Sequence, residues 1–238
     1  MTGELLVRGK NNDCARIRGV IFDVDGTLLD SMGIWKDAGA RYLQSIGVEP
    51  EDGLAEILFP MSIKEGVEYV RERYGLPYTT AEIITGVLET VKDYYFYEAP
   101  LKEGALQALA FLKERGIPMV VATSSERTHV EAAFRRLGID TYFRQIFTCS
   151  EVGEGKNQPL IYFKAAEALG TVPRETLVFE DALFAVRTAG RAGFLTAGIC
   201  DRYSKDSQKA VKREVWVYLR EMGEFLEAVV GDSEGGSF

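Results

Sequence analysis

The chain has 238 residues, 46% of them hydrophobic, which is enough for one large domain or for one domain carrying an insert. Its 28 Lys and Arg stand against 36 Asp and Glu, a formal net charge of −8 with no basic run, which argues against a nucleic-acid-binding surface. No apolar run is long enough to span a membrane, and the three cysteines, Cys14, Cys149 and Cys200, lack paired spacing and read as reduced thiols of a cytoplasmic protein.

Residues 1–16 are polar and mixed in charge, unlike a signal peptide, and are expected to form a flexible arm. Val20-Ile21-Phe22 then runs into Asp23-Val24-Asp25-Gly26-Thr27-Leu28-Leu29. This pattern predicts a buried strand over 18–23 that ends in two carboxylates one residue apart. Alternation along a strand sends Asp23 and Asp25 to the same side. Two like charges held that close are costly unless a cation joins them, and oxygen ligands favour a hard dication, Mg²⁺ first. Gly26 permits a sharp turn, and Thr27 offers a hydroxyl there.

Residues 31–99 are helical in pattern throughout. Ser31 is expected to cap a helix reaching Ile46, with Trp35, Ala38, Tyr42 and Ile46 at helical spacing and Gly47 closing it. A short helix at 52–58 stops before Pro60. Ser62 caps a third helix, with Glu65 completing a capping box and Val67, Val70 and Tyr74 on one face. Thr80 is expected to cap a fourth over 81–95, with Ile84, Val87, Leu88 and Val91 inward. Strand–helix alternation starts only after residue 100, so 31–99 is read as an all-α insert.

A helix over 103–115 opens the second part, and strands over 117–122, 145–148, 177–179 and 194–199 follow. Helices over 127–137, 159–169 and 182–192 separate them, each closed by a glycine. This alternation predicts an α/β fold: a Rossmann-like doubly wound parallel sheet with helices on both faces and right-handed crossovers. A further strand at 215–217, a closing helix at 221–230 and a flexible tail over 231–238 complete the chain. The expected domains are thus a core of 17–30 and 100–230 and a helical insert of 31–99.

Ligands of an open parallel sheet bind beyond the carboxyl ends of its strands, so residues just past each strand matter most. Thr123-Ser124-Ser125 places hydroxyls and a helix N-terminus where phosphate oxygens can be held. Lys156 follows Gly153 and Gly155 just before a predicted helix. Glu180-Asp181 is a second acidic pair at a strand end, as a metal facing Asp23 requires. His129, the single histidine, is read as a solvated or core-edge side chain.

In this order these segments resemble the four motifs of the haloacid dehalogenase superfamily, in its phosphatase and β-phosphoglucomutase-like branch. Asp23-Val24-Asp25-Gly26-Thr27-Leu28 matches the first motif. The resemblance implies that Asp23 is a nucleophile, Asp25 a general acid/base, and Thr123 and the Ser124 N–H phosphate-binding groups. It implies Lys156 as the phosphate-facing cation, and Mg²⁺ held by Asp23, Asp25 and Asp181 with Glu180 in support. Asn157, Leu160, Ala182 and Ala185 depart from the usual motif residues. Residues 31–99 are similar to the family's helical cap, and Met61, Ser62 and Lys64 correspond to its specificity turn.

The expected activity is Mg²⁺-dependent phosphatase action on a small phosphorylated metabolite through an aspartyl phosphate, in a monomer that binds neither nucleic acid nor membrane. A phosphosugar mutase shares every core residue. Against it, Ile63 and Trp35 stand where β-phosphoglucomutases carry an Arg and a His. A haloacid dehalogenase needs neither Asp25 nor Asp181, and a non-enzymatic phosphoryl-binding domain needs no full set of catalytic groups.

Overall fold

The structure, a computed structural model, describes residues 3–58 and 61–230, so the turn at Pro60 and the tail over 231–238 lie outside the described residues. The chain divides into two compact units, residues 1–30 with 100–238 and the intervening 31–99.

The first unit opens with β1 (Leu5–Arg8) and β2 (Cys14–Ile17), an antiparallel pair with Leu5 opposite Ile17. Leu5, Val7 and Ile17 are buried, and the Val230 N–H donates to the Leu6 carbonyl at 2.8 Å. The expectation of a flexible arm over 1–16 is therefore corrected. Each strand is only four residues long, too short for alternation to stand out between polar neighbours.

The main sheet contains β3 (Gly19–Phe22), β4 (Met119–Thr123), β5 (Ile146–Thr148), β6 (Thr176–Glu180), β7 (Leu195–Ile199) and β8 (Val217–Leu219). All pairings are parallel, in the order β5-β4-β3-β6-β7-β8. Strand order reverses at β3, and such a switch point opens a crevice at the carboxyl ends. Every residue of β3, β4 and β6 is buried, as central parallel strands require.

Between these strands run α5 (Ala105–Glu114), α6 (Arg127–Leu137), α7 (Cys149–Val152), α8 (Leu160–Leu169), α9 (Leu183–Arg191) and α10 (Lys205–Glu214), and α11 (Phe225–Ala228) follows β8; they are numbered after the four helices of the second unit. Ile21, Val120 and Val178 join Ile161, Ala165 and Ala189 of α8 and α9 in one cluster. Phe22 stacks on Phe179 at 4.7 Å between ring centres, and Phe179 meets Phe225 of α11 edge-on at 5.2 Å. Successive strand residues thus feed two separate layers, and the sheet is doubly wound. The short α7 and the polar α10 answer to no sequence expectation; α10 carries Lys and Arg through most of its turns and buries Val211.

The second unit holds α1 (Gly33–Ser45), α2 (Leu54–Leu58), α3 (Ile63–Arg73) and α4 (Thr80–Tyr97). Ser62 caps α3 and Glu65 returns the bond, the expected capping box. Thr79, not Thr80, caps α4, with Glu82 as its box partner. Ser31 does not cap α1; its N-cap is Met32, without a side-chain bond. Ile34, Ala38, Tyr42 and Leu43 form the buried stripe of α1, so Trp35 lies off that face. In α4 the buried stripe is Ile83, Val87, Val91 and Tyr95, and Leu88 is exposed. Ala38, Tyr42, Val87 and Val91 are buried as the sequence reading has them, while Trp35 and Leu88 are exposed and Ile34 and Ile83 are buried, which helices with apolar residues on several sides permit.

Candidate active site

The last ladder bond of β3 runs from the Asp23 N–H to the Phe179 carbonyl at 3.0 Å. Beyond it the N–H groups of Thr27, Leu28 and Leu29 all converge on the Val24 carbonyl, at 3.3, 2.9 and 2.8 Å. Gly26 sits at φ +79°, the left-handed region that glycine enters without Cβ strain. This tight loop holds Asp25 beside Asp23. The Asp25 carboxylate accepts from the Ser125 hydroxyl at 2.5 Å. The Ser125 N–H in turn donates to Thr123 Oγ1 at 3.0 Å, so the end of β4 is tied to the loop after β3.

Lys156 arrives from the other direction. Gly153, at φ +86°, ends α7, and a short loop carries the lysine under the sheet end. Its ammonium donates to Asp23 Oδ1 and, at 2.5 Å, to Glu180 Oε1. The Tyr162 hydroxyl of α8 donates to the same Glu180 oxygen at 3.1 Å. Asp23, Lys156, Glu180 and Asp181 are 6%, 4%, 1% and 4% exposed, so this charge cluster is withdrawn from solvent. Carboxylate oxygens of Asp23, Glu180 and Asp181 lie within 4.8 Å of one another. Ser204 Oγ, in the loop after β7, donates to Asp181 Oδ2 at 3.2 Å.

The electrostatics follow from three buried acids sharing one lysine. Burial and then Glu180 raise the Asp23 carboxyl well above its ordinary range, despite the Lys156 ammonium. Burial alone would lower Lys156, but Asp23 and Glu180 beside it hold it well above its usual value. Burial, Glu180 and Asp201 push Asp181 up to about 7. Such a set is short of positive charge, and its donors are all oxygen, which suits a hard dication.

Of the site residues singled out in the sequence, the structure brings together Asp23, Asp25, Glu180 and Asp181 at the ends of β3 and β6 with Lys156 from the loop before α8. Thr123 is buried at the end of β4, while Ser124 is exposed, its hydroxyl 3.5 Å from Cys149 Sγ. Met61, Ser62 and Lys64 belong to the helical unit, where Ser62 spends its hydroxyl on Glu65 and Lys64 lies 4.0 Å from Glu68. Of the departures from the motif pattern, Leu160 begins α8, Ala182 is the N-cap of α9 without a side-chain bond, and Ala185 is fully buried in α9. Sequence reasoning passed over Ser125, Tyr162 and Ser204. Ser125 lies in the hydroxyl triplet after β4, a signal that was present. Tyr162 is one aromatic residue in an apolar helix, and Ser204 follows β7 without any motif.

Residues 17–193 match the haloacid dehalogenase-like hydrolases, and the chain belongs to that family. It stands close to the family's phosphatases. It is 29% identical over 177 residues to a phosphorylated carbohydrates phosphatase of Thermotoga maritima, covering 74% of this chain and 82% of that one. It is 28% identical over 214 residues to a validoxylamine A 7'-phosphate phosphatase of Streptomyces hygroscopicus, covering 90% and 98%. Among solved structures, a candidate β-phosphoglucomutase from Thermotoga maritima superposes with a TM-score of 0.76 at 28% identity, over 88% of this chain and 96% of the other. Among the described residues no helix is long and apolar enough to cross a membrane.

Proposed function

We propose that the protein is a Mg²⁺-dependent phosphatase that hydrolyses a small phosphorylated metabolite, a sugar phosphate or similar phosphomonoester, through an aspartyl phosphate on Asp23. The observation that carries this reading is Lys156 bridging Asp23 and Glu180, with Asp181 inside the same 4.8 Å carboxylate cluster. Asp23, the Asp25 backbone carbonyl and Asp181 would hold the ion, with Glu180 in support; bound there, Mg²⁺ supplies positive charge to the phosphoryl oxygens and offsets the acids' repulsion.

Asp23 attacks the phosphorus in line, and a bond to its carboxylate oxygen forms as the bond to the leaving oxygen breaks. Asp25, oriented by Ser125, gives its proton to that leaving oxygen. Asp25 then takes a proton from a water that attacks the phosphorus. The bond to Asp23 breaks, and inorganic phosphate leaves. Lys156 fixes the attacking carboxylate and stabilises the equatorial oxygens, with Thr123 and the Ser124 N–H assisting. In this reading 31–99 serves as the cap, with Met61, Ser62 and Lys64 as its specificity residues.

Phosphate release from an aryl phosphate should require Mg²⁺, and Asp23→Asn should abolish it with the fold intact by circular dichroism. Wild-type turnover in that variant would overturn the nucleophile assignment. The likeness to the candidate β-phosphoglucomutase raises a mutase reading. A mutase must hold a second phosphate, for which a cation is needed. The second unit contains a cavity of about 210 Å³ lined by Trp35, Met61, Ser62, Ile63 and apolar side chains, with no cation among its described lining residues. Given β-glucose 1-phosphate and a trace of the 1,6-bisphosphate, the protein should release phosphate; accumulation of glucose 6-phosphate would make it a mutase.

A further inference from the structure

The loop after β7 contains a fully buried carboxylate, Asp201, for which the proposed reaction has no use. Its Oδ2 takes the Lys102 ammonium at 2.9 Å, and its Oδ1 takes the Tyr203 N–H at 2.8 Å. Lys102 also donates to the Cys200 carbonyl at 3.0 Å. The Cys200 N–H donates to the Leu219 carbonyl at 2.9 Å, and the Ser204 N–H to the Asp201 carbonyl at 3.2 Å. The loop is thereby fixed from both ends against β8 and Lys102. A loop held this firmly presents Ser204 in one place. From that place its hydroxyl donates to Asp181 Oδ2, and among the described residues Ser204 is the side chain that hydrogen-bonds Asp181. Residue 182, next along the chain, is an alanine and has no hydroxyl to offer.

We propose that Ser204 is a positioning residue for divalent-cation binding: it orients the Asp181 carboxylate, and the buried Lys102–Asp201 pair holds the loop that delivers it. This rests on the metal-dependent reading above. A carboxylate free to rotate must be ordered when the ion arrives, whereas one already held by a donor on one oxygen presents the other. Removing such an outer hydrogen bond weakens metal affinity by about 10-fold or more.

The test is Mn²⁺ binding followed by electron paramagnetic resonance and Mg²⁺ binding by calorimetry, on the full chain without substrate. Ser204→Ala should raise the dissociation constant about 10-fold, while its melting temperature without metal stays at the wild-type value. Ser204→Thr keeps the hydroxyl and should bind within about threefold of wild type. The phosphatase assay should then show a higher Mg²⁺ half-saturation for Ser204→Ala and an unchanged rate at saturation. Unaltered affinity in Ser204→Ala, or a lowered metal-free melting temperature with unaltered affinity, would overturn the positioning role and leave the phosphatase reading standing. A wild-type chain that binds neither ion would overturn both.

Discussion

Lys156 and Arg73 are each held by carboxylates, yet the two arrangements do different things. The Lys156 side chain is 3% exposed, and it must serve both Asp23 and Glu180. Arg73, in the helical unit, meets Glu51 with two of its nitrogens, and its side chain is 56% exposed. Water and salt screen the second pair, so its removal matters little to either partner. In the first, no solvent is available to take over from the lysine. Its carboxylates are left with each other, and their proton affinity, metal affinity and nucleophilicity all depend on the ammonium. Burial converts an ion pair from decoration of a surface into a chemical site.

The largest effect should come from removing the buried cation. Lys156→Met is expected to lower kcat about 100- to 1000-fold, through the loss of a preorganised donor to the developing charge. It should also destabilise the metal-free fold by about 3–5 kcal/mol, because two buried carboxylates lose their partner. Chemical denaturation and steady-state phosphate release measure both. A variant with near-wild-type kcat would place Lys156 with the surface cations.

A second test uses protons. Asp181 has an ordinary value of 3.8 and stands near 7 in the folded chain. Between those values the metal-free folded state keeps a proton that the unfolded state has released, so its stability falls as pH rises through the window and levels off above it. Asp23 is raised as well and adds the same sign. Cation binding needs the deprotonated carboxylate, so Mg²⁺ affinity should rise over the same window. The gain in melting temperature on adding Mg²⁺ should therefore be small near pH 5 and largest above pH 7. A gain independent of pH would remove Asp181 from the ligand set.

How much of this was legible in the sequence differs between the two regions for the same physical reason. Buried parallel strands are apolar and ligands bind beyond their carboxyl ends, so Asp23 and Asp181 stood out at strand ends and Lys156 after two glycines before a predicted helix. The C-terminal end of α6, Arg127–Leu137, was readable because Gly138 enters the left-handed region. In the helical unit Ala38, Tyr42, Val87 and Val91 were legible, but Trp35 and Leu88, at the same helical spacing, are 44% and 43% exposed. Several faces of those helices are apolar enough to pass for the core. Ser204 was hidden because its partner Asp181 lies 23 residues away, which no local pattern records, and the β1–β2 ribbon because four-residue strands are too short for alternation to stand out.

The smallest expected effect completes the contrast. Thr79 caps α4 by accepting from the Glu82 N–H at 3.3 Å, while the Glu82 carboxylate receives the Thr79 N–H at 2.8 Å. The bonds satisfy helix-end donors that water would otherwise solvate, so the hydroxyl contributes to stability and not to chemistry. Thr79→Ala should cost about 1 kcal/mol, seen as a lower denaturation midpoint. At temperatures where the variant is fully folded, kcat on an aryl phosphate should stay within about twofold of wild type, since the barrier carries no contribution from this cap. A fall in kcat as large as that of Lys156→Met would mean that order at this helix end sets the rate, and its assignment to stability alone would fail.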